Sequence, residues 1–419
     1  MLLLKKCDYK IMRMLESESI RRKEILNGAV LNPYFAFALV WIVLLVFHLF
    51  NFNTRFPQAP IELILFALIT SAISIACGFL YKRKIRSIQL SNDEINEKPT
   101  TKLLILSVVI FAIAVVKSRS IPIISVLQGD ASAYMSFGIT TLSPFGHMCA
   151  MAVAALSSVK LLYGRNKKMK IWNAVNLGVA LFTFVLAYSR GMFLLSVLIF
   201  VAVFASRHRF TFGTFMALII VGLLAAFAFN VFGNVRQGYA WNDSSYLMSL
   251  SGFNKQYSGL SHFSWAIAYF DTPFGNLAYN VQKGINEYDF MGLISQLLPD
   301  FLSKRIWPDY VGGFELVVPQ LTVSSMFAGG FRYFGVIGMY AQYFEMILVT
   351  FFVSTIAKNN KMTFITVSSF LTVLLFLSFF VNTITYSGFF FPIIIILIYC
   401  HFSLKKKSSS YDRKVVAVN

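Results

Sequence analysis

The sequence predicts an all-α, polytopic integral membrane protein of about ten transmembrane helices, and three observations carry that prediction. Hydrophobic residues make up 57% of the 419 positions and charged residues only 13%, against about 25% charged in soluble domains. Mean hydropathy is +0.67. Basic clusters recur on alternate connections between apolar runs, which is how a cytoplasmic face is marked.

The net charge of +19 suggests nucleic acid at first sight, but its distribution removes that class. Of the 37 Lys and Arg, 26 fall in the loops and tails of one face, accompanied by eight acids. The longest loop, 233–332, carries six bases against seven acids. A charge confined to one membrane face reads as topology, and nucleic acid is excluded as a partner. The four cysteines, Cys7, Cys77, Cys149 and Cys400, all lie outside that loop, so no disulfide staples it, and none has zinc-site spacing.

Taken in order, residues 1–32 form a basic cytoplasmic tail ending in Arg21, Arg22 and Lys23 before an uncleaved first span at 33–52. Span two, 61–81, ends in Lys82, Arg83 and Lys84. Span three, 103–116, breaks at its far end around Lys117 to Arg119, with Pro122 close behind. Span four is 143–163. The apolar stretch 171–206 would be about 54 Å long as one helix, against about 30 Å of hydrocarbon. Both of its flanks are basic, so it is a hairpin of spans five and six with Ser189-Arg190-Gly191 at the tip. Span seven, 212–232, leads into the loop.

Spans eight (334–356), nine (362–381) and ten (386–402) follow, and Lys405, Lys406 and Lys407 open a cytoplasmic tail at 404–419. The organisation is thus a tail (1–32), spans one to seven (33–232), a large periplasmic loop subdomain (233–332), spans eight to ten (333–403) and a second tail. The loop is too rich in Trp, Tyr, Phe, Leu and Ile for disorder, and reads as a folded cap over a site at the membrane surface. Within it, Leu293 to Leu302 has the pattern of short amphipathic helices lying on the membrane.

This topology leaves few outward charges. Arg119, Arg190, Arg236 and Arg332 sit at span ends and Arg305 within the loop. A guanidinium suits phosphate oxygens, so their convergence would fit a lipid-linked pyrophosphate; the plainer alternative is that each snorkels to headgroups. His262 and Asp271 are candidate general bases among the outward His, Asp and Glu residues. Glu287 and Asp289 have the spacing of an acid pair for a divalent ion, or of two solvated side chains. Trp265 and Tyr269 could stack on sugar rings, or form the loop's own core. Glu345, midway along span eight, is either functional or a helix-to-helix hydrogen bonder. No Walker loop, HExxH, nucleophile elbow or dinucleotide fingerprint occurs.

Three stretches carry a family resemblance: Tyr188-Ser189-Arg190-Gly191; the outer loop with Tyr269-Phe270-Asp271-Thr272-Pro273 followed by Asn276; and Phe331-Arg332-Tyr333-Phe334-Gly335 with Gly338, after Pro319-Gln320-Leu321-Thr322. In these and in overall architecture the chain resembles the bacterial O-antigen and capsule repeat-unit polymerases of the Wzy type. Where such polymerases often carry an acid or amide before the final Phe-Gly, this chain has Tyr333. The resemblance implies a glycosyltransferase C-like bundle in the bacterial inner membrane, with both termini cytoplasmic. It also implies metal- and cofactor-independent transfer between undecaprenyl-pyrophosphate-linked oligosaccharides, and a chain-length co-polymerase as partner. Arg190, Arg236, Arg332, His262 and Asp271 are then the catalytic candidates, and Arg119, Arg305, Tyr269 and Trp265 the substrate-binding ones. An O-antigen ligase, kept open by His262, and a transporter or flippase remain as alternatives.

Overall fold

The computed structural model describes residues 31–89, 95–128, 130, 136–207, 212–284, 288–310 and 314–416. Among them the protein is helical throughout, apart from one isolated β-bridge between Asn53 and Phe253. Seven helices are long and apolar enough to cross a membrane. Among the described residues, apolar helical stretches also lie at the three other expected positions: Pro33–Leu49, Gly222–Val231 inside a 25-residue helix, and Ser387–Phe402 at the start of a 30-residue one. The seven long helices fit a polytopic membrane protein, and the 17 residues of the first apolar helix reach about 26 Å.

The first helix, α1 (Pro33–Leu49), starts where Asn32 accepts from the Tyr34 and Phe35 amides and Pro33 sets the first-turn φ. Helix α2 (Ile61–Gln89) returns alongside it, tied by Asn32 Nδ2 donating to the Gly78 carbonyl at 2.8 Å. Helix α3 (Thr101–Ser118) ends as expected at Arg119, which is left-handed (φ 50°), before the six-residue α4 (Pro122–Leu127). Helix α5 (Leu142–Tyr163) is sheathed by α3 and by four helices yet to come. Its run of Ala150, Ala152, Ala154 and Ala155 is fully buried, since small side chains let neighbouring backbones approach.

The predicted hairpin is present. Helix α6 (Lys167–Leu186) and helix α7 (Arg190–Arg207) are joined by Ala187, Tyr188 and Ser189. Tyr188 takes a positive φ of 55°, and the Ser189 amide donates back to the Phe184 carbonyl at 2.9 Å. Helix α8 (Phe212–Arg236) follows.

The 233–332 segment departs most from the expected cap. It holds α9 (Ser245–Ser251), a 3-10 stretch (Lys255–Phe263) and the 20-residue α10 (Ser264–Lys283). Phe274, Leu277 and Ala278 of α10 belong to the same hydrophobic core as Trp41 and Leu44 of α1 and Phe66 of α2. This helix is thus part of the bundle rather than a lid laid over it. Two short helices, α11 (Phe290–Leu297) and α12 (Asp300–Ile306), then lead through an extended strap at 314–325 to α13 (Ala328–Ala357).

Helix α13 is broken. Phe334 (φ −148°, ψ 19°) and Gly335 (φ 59°, ψ −146°) leave helical geometry, and Gly335 sits in a region essentially reserved for glycine. Around the break the two pieces press so closely that a Cβ on Gly330 would meet the Gly338 carbonyl, and one on Gly338 the Gly330 carbonyl. Gln342 caps the junction by accepting from the Gly330 amide at 2.9 Å. Helix α14 (Lys361–Phe376) is the most enclosed span, packed on α1, α7 and α13, and α15 (Ser387–Val416) closes the chain.

Candidate functional site

The break in α13, the tip of the α6–α7 hairpin and the connection between α14 and α15 meet around a cavity of about 450 Å³. Gly191 and Leu194 contribute from the first turn of α7, and Gln296 from α11. Thr322 to Met326 form one wall, and Arg332 and Tyr333 project from the first piece of α13. Phe380, Asn382, Thr385, Tyr386 and Phe389 close the remaining side. All these helix ends lie opposite the ends that carry Lys167, Lys168, Arg207 and Lys361.

Each wall has a physical cause. Residues 314–325 have no regular structure of their own, and α10 supplies most of their hydrogen bonds. Asn276 Oδ1 accepts from the Val317 amide (3.1 Å), and its Nδ2 donates to the carbonyls of Leu321 (3.1 Å) and Val323 (2.7 Å). One turn later Asn280 accepts from the Glu315 amide at 3.0 Å and donates to the Glu315 carbonyl at 2.8 Å. The Met326 amide donates to the Ser378 carbonyl at 3.0 Å, joining the strap to the end of α14. On the opposite wall, Asn382 Oδ1 accepts from the Ile384 and Thr385 amides. The Asp300 amide donates to the Thr385 carbonyl at 2.8 Å, and Asp300 Oδ1 accepts from the backbone and hydroxyl of Ser387. Burial pushes the Asp300 carboxyl up, but the Ser387 and Lys304 hydrogen bonds outweigh it and hold the group below the ordinary range.

Chemically the lining is apolar, with hydroxyl and amide groups and one guanidinium, that of Arg332. The Arg332 guanidinium lies 5.3 Å from the Tyr333 ring centroid. Arg190 immediately precedes the lining residue Gly191, is exposed, and stands 4.6 Å over the Tyr188 ring. Among the described residues no carboxylate or imidazole lines the cavity. Such a chamber suits a molecule with an anionic head and an apolar continuation, stabilised by charge rather than by a side-chain base.

The other candidates lie elsewhere. Asp271, expected outward, is 1% exposed on α10. Its Oδ1 meets His48 Nδ1 at 2.7 Å and its Oδ2 accepts from Asn53 Nδ2 at 2.7 Å, while His48 Nε2 faces the Pro57 carbonyl at 2.9 Å. The His48–Asp271 pair, buried on both sides, is a polar latch between α1 and α10. Trp265 is buried and donates from Nε1 to Asn234 Oδ1 at 2.8 Å. His262 is exposed in the 3-10 stretch, its ring 6.3 Å from Phe227 of α8.

Tyr269 stacks on Phe380 with centroids 6.3 Å apart, one ring removed from the cavity. Arg119 and Arg305 are exposed, on the C-cap of α3 and on α12. Arg236 ends α8, and its side chain is outside the described residues, as is Glu287. Asp289 accepts from the Met291 amide as the N-cap of α11. Glu345 is outside the cavity lining, and its Oε2 is buried without a hydrogen-bond partner.

Sequence reasoning missed Gln296, Asn382, Thr385 and Tyr386. The only signal was the polar cluster Asn382-Thr383-Ile384-Thr385 between two apolar spans. Compared with known proteins, the chain matches no family model, no curated protein and no solved structure.

Proposed function

We propose that the protein is a membrane-embedded glycosyltransferase that joins undecaprenyl-pyrophosphate-linked oligosaccharide repeats into an O-antigen or capsular polysaccharide. The observation that carries this reading is the cavity itself, in which an apolar wall and the Arg332 guanidinium sit beside the Arg190 hairpin tip. In the reaction a hydroxyl of the newest lipid-linked repeat attacks the anomeric carbon of the growing chain. The bond from that carbon to the pyrophosphate oxygen breaks, and the hydroxyl proton passes to water or to the departing pyrophosphate. Charge grows on the leaving pyrophosphate, and Arg332, with Arg190 at the rim, stabilises it electrostatically. Arg236 is a further candidate from the adjoining segment.

The orientation that fits places the cavity on the periplasmic side of the inner membrane and both termini in the cytoplasm, in keeping with the one-sided basic clusters. A chain-length co-polymerase is the proposed partner. The ligase alternative loses support because His262, which sustained it, is not in the cavity lining.

The test is a glycan ladder from a deletion strain of the source bacterium, complemented with the parent gene, Arg332→Lys or Arg332→Ala. The expected result is full polymer from the parent and collapse to a single repeat with Arg332→Ala, with partial recovery for Arg332→Lys. Loss of all repeats from the core, with polymer retained on the carrier lipid, would instead identify a ligase. An unchanged ladder in the deletion strain would overturn the assignment.

A further inference from the structure

Residues 288–306 are too short to cross a membrane: α11 has eight residues and α12 seven, about 12 and 11 Å of helix. Yet they expose large side chains that water does not favour. Tyr288 is 70% exposed, Phe290 60%, Ile306 55%, Met291 48% and Phe301 37%. Beside them Lys304 and Arg305 are also exposed, giving amphipathic helices with cations next to apolar groups.

Hydrogen bonds and packing fix the height of this arm in the molecule. The Asp289 amide donates to the Tyr333 carbonyl at 2.9 Å, bolting α11 to the break in α13. Gly292 lies flat on the Tyr333 ring, where a Cβ would collide, and Leu293 is buried. Asp300 is bolted to Thr385 and Ser387 at the start of α15. The Phe301 ring meets Phe391, five residues into α15, edge to face with centroids 5.1 Å apart. The arm therefore flanks the ends of two membrane helices at the depth of their first turns. At that depth the surroundings are the boundary between headgroups and acyl chains, where aromatic and long cationic side chains concentrate.

We propose that residues 288–306 form an interfacial arm docked on the lipid bilayer. Phe290, Met291 and Ile306 enter the headgroup–acyl boundary, and Lys304 and Arg305 lie at lipid phosphates. Because Gln296 of the same arm lines the cavity, docking sets the cavity mouth at headgroup depth. The inference rests on the chain being membrane-embedded and is independent of glycosyl transfer.

The test uses the full chain in nanodiscs of phosphatidylcholine and phosphatidylglycerol. Cys7 and Cys77 are replaced by Ser, and the buried Cys149 and Cys400 are retained. A nitroxide label is attached in separate proteins at Phe290→Cys and Ile306→Cys. Two references bracket them: Asp309→Cys, at an exposed site beyond the arm, and Ile337→Cys, at a 68% exposed position on the α13 span. Collision of the label with oxygen, which partitions into lipid, is compared with collision with a water-soluble nickel chelate. Both arm sites are expected to favour oxygen over nickel as Ile337→Cys does, at shallower depth, while Asp309→Cys favours nickel. Nickel accessibility equal to that of Asp309→Cys would overturn the proposal, and protection from both reagents would too, since a protein surface then covers the arm. Either arm site suffices should the other variant fail to fold, and intact polymer synthesis in vivo is neither required nor disturbed by the result.

Discussion

Removing the Asp271 carboxylate separates a structural latch from a catalytic base. In the folded protein Asp271 is hydrogen-bonded to two buried nitrogens, His48 Nδ1 and Asn53 Nδ2, each at 2.7 Å. Asp271→Ala leaves both without their hydrogen-bond partner, and each buried polar group left unsatisfied costs about 1–3 kcal/mol, so the loss is about 2–6 kcal/mol. Asp271→Asn keeps one acceptor oxygen, so one donor stays satisfied and the cost falls to about 1–3 kcal/mol. His48→Ala combined with Asp271→Ala removes both partners, and the double variant should lose less than the two single losses together, by about 0.5–3 kcal/mol.

The assay is denaturant or thermal unfolding of the purified protein in one detergent, run beside polymer synthesis in complemented cells. The expected order of stability is parent, Asp271→Asn, Asp271→Ala, with activity following folded protein. A variant Asp271→Asn that unfolds like the parent yet makes no polymer would refute the latch and restore Asp271 as a base.

Gly338→Ala places a methyl against the Gly330 carbonyl, which cannot move without opening the break in α13, so about 1–3 kcal/mol or more is lost and folded yield drops. Gly335→Ala, at φ 59° and ψ −146°, costs about 1–3 kcal/mol in backbone strain, read by the same unfolding assay. Asn276→Ala strips three hydrogen bonds from the cavity strap. Ligand affinity for a short-chain prenyl pyrophosphate, measured by calorimetry, should fall further than for a control substitution at the exposed Lys255.

Acid should release α12. The Asp300 carboxyl is held below the ordinary aspartate value of about 3.9, so its stabilisation is complete above that pH and is lost as pH falls through the depressed folded value. The label at Ile306→Cys should gain mobility below about pH 4, and Asp300→Asn should abolish that step.

Much of the bundle was legible because apolar length and one-sided charge are strong signals. The hairpin at Arg190 followed from length and charge together, since no single helix of 36 residues fits one bilayer crossing between two basic flanks. The break after Ser118 was legible from Lys117, Arg119 and Pro122. Helix α10 was not. It carries Asp271, Pro273, Asn276 and Asn280, and hydropathy reads such residues as surface. Inside this fold each polar group has a named partner: His48 and Asn53 for Asp271, and the strap for the two asparagines. The break in α13 was hidden for the opposite reason, because Gly329-Gly330-Phe331-Arg332-Tyr333-Phe334-Gly335 blends into the apolar run that follows. Arg332 and Arg190, by contrast, were singled out as charges at span ends, and the structure places Arg332 in the cavity lining and Arg190 beside it.

The partnering of α10 also explains why the cavity needs the whole chain. Its guanidinium stands on the first piece of α13, whose direction is set by the Gly330–Gly338 contact and by Gln342. Its wall at 322–326 is shaped by Asn276, and α10 is in turn fixed to α1 by the His48–Asp271 pair. The far wall, between α14 and α15, is held by Asp300 of the interfacial arm. The wall at 322–326 and the far wall therefore each couple a membrane helix to a residue of the 233–332 segment. A chain cut to its spans alone would lose both the strap that forms one wall and the helix that positions it. In this architecture the segment between the seventh and eighth predicted spans supplies the shape of the cavity, while the span ends supply the charge.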